Sequence, residues 1–123
     1  MMAPTEAVLL RVFVAESDRF HGRPLYEAIV AKALELKMAG ATVFPGPEGF
    51  GHSRSIRSEI NVDAGSRSPM VIEIVDAKER IDGFLPVLDE MVATGLVTLE
   101  LVQAIYYQRD RARSGGAAPR AAF

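Results

Sequence analysis

The chain contains no cysteine, which excludes a disulfide scaffold, a thiolate zinc site and a thiol nucleophile. It has no basic excess either: 14 Lys and Arg stand against 16 Asp and Glu, a formal net charge of −2. A general nucleic-acid binder needs a cationic surface to displace counterions from phosphates, so that class is set aside. Histidine is scarce, with only His21 and His52, and no third ligand lies at metal spacing, so no metal site is expected. No Ser-His-Asp arrangement is legible. No apolar run reaches the roughly 18 residues that a membrane helix requires. Arg11 and Glu16 interrupt the first strongly apolar stretch, and no cluster of positive charge precedes it as in a signal peptide. The expectation is a cytoplasmic protein without direct membrane insertion. What the chain does have is size and apolar content: 123 residues, 49% hydrophobic, suffice for one domain with its own core.

Residues 1–6 read as a disordered start. The run Val8-Leu9-Leu10-Arg11-Val12-Phe13-Val14 is dense in β-branched and aromatic residues and predicts a strand. After a polar segment, Pro24 suits a first helical turn, where its missing N–H costs nothing. Leu25, Tyr26, Ile29, Val30, Ala33 and Leu34 follow at helical spacing up to about Met38, and Gly40 is placed to end that helix. Ala41–Phe44 reads as a short strand. Residues 45–68 carry Gly46, Gly49, Gly51, Gly65, Pro45, Pro47 and little apolar content, and a connection of this length is usually functional or disordered. Met70–Val75 is a further strand. Asp76 and Glu79 have capping-box spacing, and Ile81, Phe84, Leu85, Leu88, Met91 and Val92 form a second helical stripe. Pro86, deep in that stripe, is expected to bend or break it. Gly95 ends the helix, Leu96–Tyr107 is the last strand, and residues 108–123 read as a disordered tail.

The order β-α-β-loop-β-α-β over residues 7–107 is the split βαβ arrangement. The predicted fold is therefore α+β and ferredoxin-like: a four-stranded antiparallel sheet with two helices on one face, and the first and third strands central. The other face then carries Leu9, Phe13, Val71 and Val75, too apolar for water, so an interface is expected there. Arg11 and Glu73 fall mid-strand on that face and should pair, because a buried charge needs a partner.

Several blocks in order carry a family resemblance. They are Glu16–Arg19 after the first strand, Gly22–Ile29, Gly40–Val43, Gly49-Phe50-Gly51, Val71–Asp76 and Leu85–Met91. Over about residues 7–107 the chain resembles an uncharacterised prokaryotic family related to the PII signal-transduction proteins. The resemblance implies a ferredoxin-like homotrimer, a long mobile loop between the second and third strands that engages targets, and nucleotides bound in clefts between subunits. An adenine nucleotide is then the implied effector, with no other cofactor. The target reached through loop 50–67 would be a protein or membrane transporter. Where PII proteins carry a glycine-rich basic turn after the second helix, this chain has Ala93-Thr94-Gly95-Leu96-Val97, with one glycine and no Lys or Arg.

The ligand-binding candidates are Gly49, Phe50, Gly51 and Arg54, with Glu16 and Arg19. Gly49 and Gly51 would let the backbone approach an anion, and Arg54 offers a planar fork of donors for phosphate or carboxylate. The same glycines serve equally to release a strand into a loop. Glu16 and Arg19 follow the first strand at the sheet end where small ligands often sit, while Asp18 suits a turn cap. Arg54, Arg57 and Arg67 alternate with Glu59 and Asp63, so the loop is nearly neutral and reads as protein-binding. The leading expectation is a PII-like trimeric sensor or regulator rather than an enzyme. Its rivals are an enzyme using the inter-subunit cleft, for which no catalytic residue can be named, and a CutA-like structural or metal-tolerance trimer.

Overall fold

The structure, a computed structural model, describes residues 3–46, 48–49, 57–58 and 68–107. Strand β1 (Thr5–Ala15) leads through two short strands, β2 (Arg19–Phe20) and β3 (Arg23–Pro24), into helix α1 (Leu25–Glu35). Strand β4 (Thr42–Pro45) precedes a two-residue pair, β5 (Glu48–Gly49) with β6 (Arg57–Ser58). Then come β7 (Pro69–Asp76), α2 (Lys78–Met91) and β8 (Leu96–Ala104). The four longer strands form one antiparallel sheet in the order β4-β7-β1-β8, so the two most apolar strands are central. This is the ferredoxin-like arrangement expected from the element order.

Alternation decides which side of the sheet the helices cover. Val8, Leu10, Val12 and Val14 of β1 and Met70, Ile72 and Ile74 of β7 are buried, while Leu9, Arg11, Phe13, Val71, Glu73 and Val75 are only half-buried. Leu25, Ala28, Ile29 and Ala33 of α1 and Ile81, Phe84, Leu88 and Met91 of α2 close over the buried set to form one core. Each large apolar side chain so buried contributes about 1.5–3 kcal/mol.

Several local expectations are corrected. Thr5 and Glu6 belong to β1, because Ala104 and Gln103 lie opposite to pair with them. Strand β8 stops at Ala104 rather than Tyr107, since β1 offers no partner before Thr5. Helix α1 ends well before Gly40: Lys37 takes a left-handed conformation at φ 59°. Its N–H donates to the Leu34 carbonyl (3.0 Å) and the Met38 N–H to the Ala33 carbonyl (2.9 Å), which together make a Schellman closure. Asp76 is not a helix cap. It ends β7, and its carboxylate accepts from the Ala77 N–H (2.7 Å) and the Ala39 N–H (2.9 Å), tying the approach to β4 onto the end of β7. Pro86 does not break α2, which runs from Lys78 to Met91 as one helix. Pro86 and Asp82, whose carbonyl loses its donor, are both exposed, so water can satisfy that carbonyl.

Candidate functional site

Three connections leave the sheet at one end, and the register fixes which. Ala15 at the end of β1 lies opposite Pro69 at the start of β7, Pro45 at the end of β4 opposite Met70, and Leu96 at the start of β8 opposite Phe13. Residues 16–24, Gly46, Ser68 and the turn 92–95 therefore share this end. The main chain locks them to the sheet: the Glu16 N–H donates to the Ser68 carbonyl (2.8 Å) and the Gly46 N–H to the Pro69 carbonyl (2.8 Å). The turn at Gly95 presses so close that a Cβ there would lie 2.7 Å from the Phe13 carbonyl oxygen. Only glycine permits that approach.

Residues 16–24 are more ordered than their polar composition suggests. Asp18 is the turn cap: its carboxylate accepts from the Ala15 N–H (2.8 Å), and its own N–H donates to the Ala15 carbonyl (3.0 Å). Its carbonyl receives the Leu25 N–H (2.8 Å) that opens α1, with Pro24 as the extended residue before the helix rather than in it. Between them β2 and β3 make a tight hairpin whose two central residues, His21 (φ 51°) and Gly22 (φ 82°), both take positive φ, as a type I′ turn demands. The His21 ring stacks on Phe20 with centroids 4.0 Å apart.

Of the residues singled out from sequence, Glu16 is half-buried at the foot of this connection and Arg19 is exposed on β2. Tyr26, in the first turn of α1, feels both. Burial first, then the carboxylates of Glu27 and Glu16, push its phenol above the usual tyrosine value, and Arg19 opposes them. Gly49 lies in β5 opposite Arg57 of β6. Phe50, Gly51 and Arg54, most of loop 50–67, His52 and the arginines of the tail lie outside the described residues. Sequence reasoning passed over Ser68, which is 2% exposed with a hydroxyl that has no hydrogen-bond partner among the described residues. Only its place beside a strand start could have flagged it. Among the described residues no cluster of three or more His, Asp or Glu is arranged to hold a metal ion.

The helix-free face of the sheet carries the predicted ion pair. Arg11 and Glu73 are direct register partners, with Arg11 Nε donating to Glu73 Oε2 at 2.7 Å, and Glu100 on β8 lies 3.5 Å from the same guanidinium. The Glu73 hydrogen bond holds the Arg11 pKa above its already high ordinary value. The pair is not buried within one chain: the side chains are 37% and 29% exposed, because both helices lie on the opposite face.

Among solved structures the chain shares its fold with PII-like proteins. It matches CPII of Thiomonas intermedia K12, a nitrogen regulatory PII-like protein solved with ADP, AMP and bicarbonate, at 14% identity and a TM-score of 0.58, covering 85% of this chain and 92% of that one. It likewise matches a candidate PII-like signaling protein of Thermus thermophilus at 17% identity and a TM-score of 0.59, covering 85% and 94%. The class is thus a PII-like ferredoxin-like fold. The chain itself belongs to the DUF190 family (Uncharacterized ACR), which it matches over residues 7–104. A UPF0166 protein of Aquifex aeolicus is 39% identical over 80% of this chain and 92% of its own length. One of Methanocaldococcus jannaschii is 32% identical over 76% and 87%. No helix among the described residues is long and apolar enough to cross a membrane.

Proposed function

We propose that the chain is a PII-like regulatory protein that assembles as a homotrimer and senses a small ligand, an adenine nucleotide first among them, in clefts between subunits. The observation that carries this is the helix-free face: Leu9, Phe13, Val71 and Val75 stand half-exposed around the Arg11–Glu73 pair with both helices on the other side. Such a face on a protein of this size is an association surface. The nucleotide enters from the fold neighbour solved with ADP, AMP and bicarbonate. The loop end of the sheet is the place for it. Gly49 and Gly51 would give the backbone close access to an anion, Arg54 would read its charge, and Phe50, Glu16 and Arg19 would border the cleft. Ligand binding would bias residues 50–67 between two states, and the favoured state would engage a protein or membrane-transporter target. A bias of this kind requires different ligand affinities for the two states.

Sedimentation equilibrium at micromolar concentration tests the assembly, and a trimer mass is expected. A monomer mass would overturn it. Thermal shift with ADP, AMP, ATP and bicarbonate tests the ligand, since binding at a hundredfold excess over Kd adds about 2.7 kcal/mol of stability. The same ligand should slow tryptic cleavage after Arg54, Arg57 and Arg67, and Arg54→Ala should weaken the effect. No shift with any of the four would refute nucleotide sensing.

A further inference from the structure

Charge is unevenly shared along the second half of the chain. From Ile81 to Tyr107 there are four carboxylates, Asp82, Asp89, Glu90 and Glu100, and no Lys, Arg or His. Residues 108–123 lie outside the described residues and reverse the balance, with Arg109, Arg111, Arg113 and Arg120 against Asp110 alone. Asp82, Pro86 and Glu90 follow one another at i, i+4 spacing on an exposed strip of α2, with Gly83 and Asp89 exposed beside them. Gly83 and Pro86 keep the relief of that strip low. The cations of α2 sit at its other end and are engaged. Lys78 Nζ donates to Asp82 (2.7 Å), and the Arg80 guanidinium donates to the Leu36 and Lys37 carbonyls. Among the described residues Asp89 and Glu90 form no ion pair. They flank the last turn, which has no basic residue and where the helix's free carbonyls already carry partial negative charge. A cation is the favoured neighbour there.

We infer that this strip of α2 is the docking surface for the chain's own arginine-rich segment, residues 108–113, which folds back along the helix as a strap. Direction, length and charge select that occupant. β8 leaves its ladder after Ala104, and Leu101 stands level with Val8 and Asp76. Continued straight, the strand would carry Tyr106 about 16 Å past that level. Tyr106 is instead half-buried, and burial first, then the Asp76 carboxylate, hold its phenol above the usual tyrosine value. Asp76 marks the corner where β7 passes into α2, so the chain has turned back over that corner toward the helix layer. From Tyr107 to Arg109 is about 7 Å of extended chain, and from Ala77 to Asp82 is about 7 Å of helix. Arg109, Arg111 and Arg113 alternate, so an extended segment puts all three on one side over about 13 Å. Asp82 and Glu90 lie about 12 Å apart along the helix. The arginine forks thus come level with the carboxylates, for which they are the matching donors. Each exposed pair is weak, so the strap relies on several together and opens as salt rises. While closed it withholds these arginines from other anions. It requires neither the trimer nor the nucleotide proposed above.

Trypsin reads the strap on the full chain. At low salt the bonds after Arg109, Arg111 and Arg113 should be cut severalfold more slowly in the wild type than in Asp89→Asn/Glu90→Gln, which adds no site for the protease. Both side chains are exposed, so the fold should survive by circular dichroism. At about 1 M salt, where the Debye length falls to about 3 Å, the two proteins should be cut at the same rate. Equal rates at low salt would overturn the proposal. A disulfide then tells the chain's own segment from a neighbour's, since the chain has no cysteine to interfere. Pro86→Cys/Arg111→Cys keeps Arg109 and Arg113 and places both thiols at one level of the strip. It should oxidise within a single chain, running as a monomer on a non-reducing denaturing gel with its mass lower by the thiol hydrogens. Adding Asp89→Asn/Glu90→Gln should slow that oxidation severalfold. Disulfide-linked oligomers would mean that another copy's segment covers α2, and would overturn the strap, as would an oxidation rate unchanged by the neutral pair.

Discussion

Lys37 occupies a backbone conformation that costs an L-residue about 1 kcal/mol or more and glycine almost nothing. Its side chain is exposed, and the hydrogen bonds it joins are all main-chain: its own N–H to Leu34, and its carbonyl, like that of Leu36, to the Arg80 guanidinium. Lys37→Gly therefore keeps every bond and should raise stability by about 1 kcal/mol in urea unfolding. Gly95 is the opposite case. A methyl there meets a backbone oxygen at 2.7 Å and the Val92 side chain at 3.1 Å, so Gly95→Ala should cost about 1–3 kcal/mol. The same melts should show it. Tyr26 adds a pH effect. Its folded pKa lies above the usual value of 10.0, so the folded state holds a proton that the unfolded chain has already lost. This stabilisation is complete below pH 10 and disappears as the pH rises through the folded pKa. Phenolate absorbance should accordingly place Tyr26 later than a free tyrosine, and Tyr26→Phe should lose that part of the alkaline destabilisation.

At the level of elements, patterns that depend on burial were legible and patterns that depend on punctuation were less so. The runs at Val8–Val14 and Met70–Val75 became the central strands, paired along both edges, with one face closed by the helices and the other half-buried. The Arg11–Glu73 pair followed from the same alternation. Glycine and proline misled where exposure changed their meaning. Gly40 was the obvious terminator, yet the closure falls three residues earlier, at Lys37, and the apolar Met38 that follows it packs against the core. Pro86 is tolerated because its side of α2 faces water. The hairpin at His21–Gly22 went unread because a two-residue strand has no periodicity to detect. Gly83 lies on the same exposed side of α2, and a Cβ added there would meet nothing within 4 Å. Gly83→Ala should therefore add about 0.5–1 kcal/mol of stability, measured as a raised Tm.

For the molecule as a whole, the fold and the half-exposed apolar face could be read from one chain because both are written in apolar pattern. The proposed ligand site was legible only as candidates, since Glu16, Arg19 and Gly49 would gain their meaning from a neighbouring subunit across the proposed cleft. The sheet order carries a consequence for how the chain is made. β1 pairs with β7 and β8, and β4 pairs with β7, so neither β1 nor β4 has its sheet neighbour until residues past 68 exist. The two halves share a strand-helix-strand order, yet the first cannot build a sheet alone. A nascent chain must keep β1 unpaired through more than half of its synthesis, holding an apolar strand open to wrong partners. Residues 1–68 expressed alone should therefore show no cooperative thermal transition by circular dichroism, and co-expression with residues 69–123 should restore one. The strand made first is the one that waits longest for the fold.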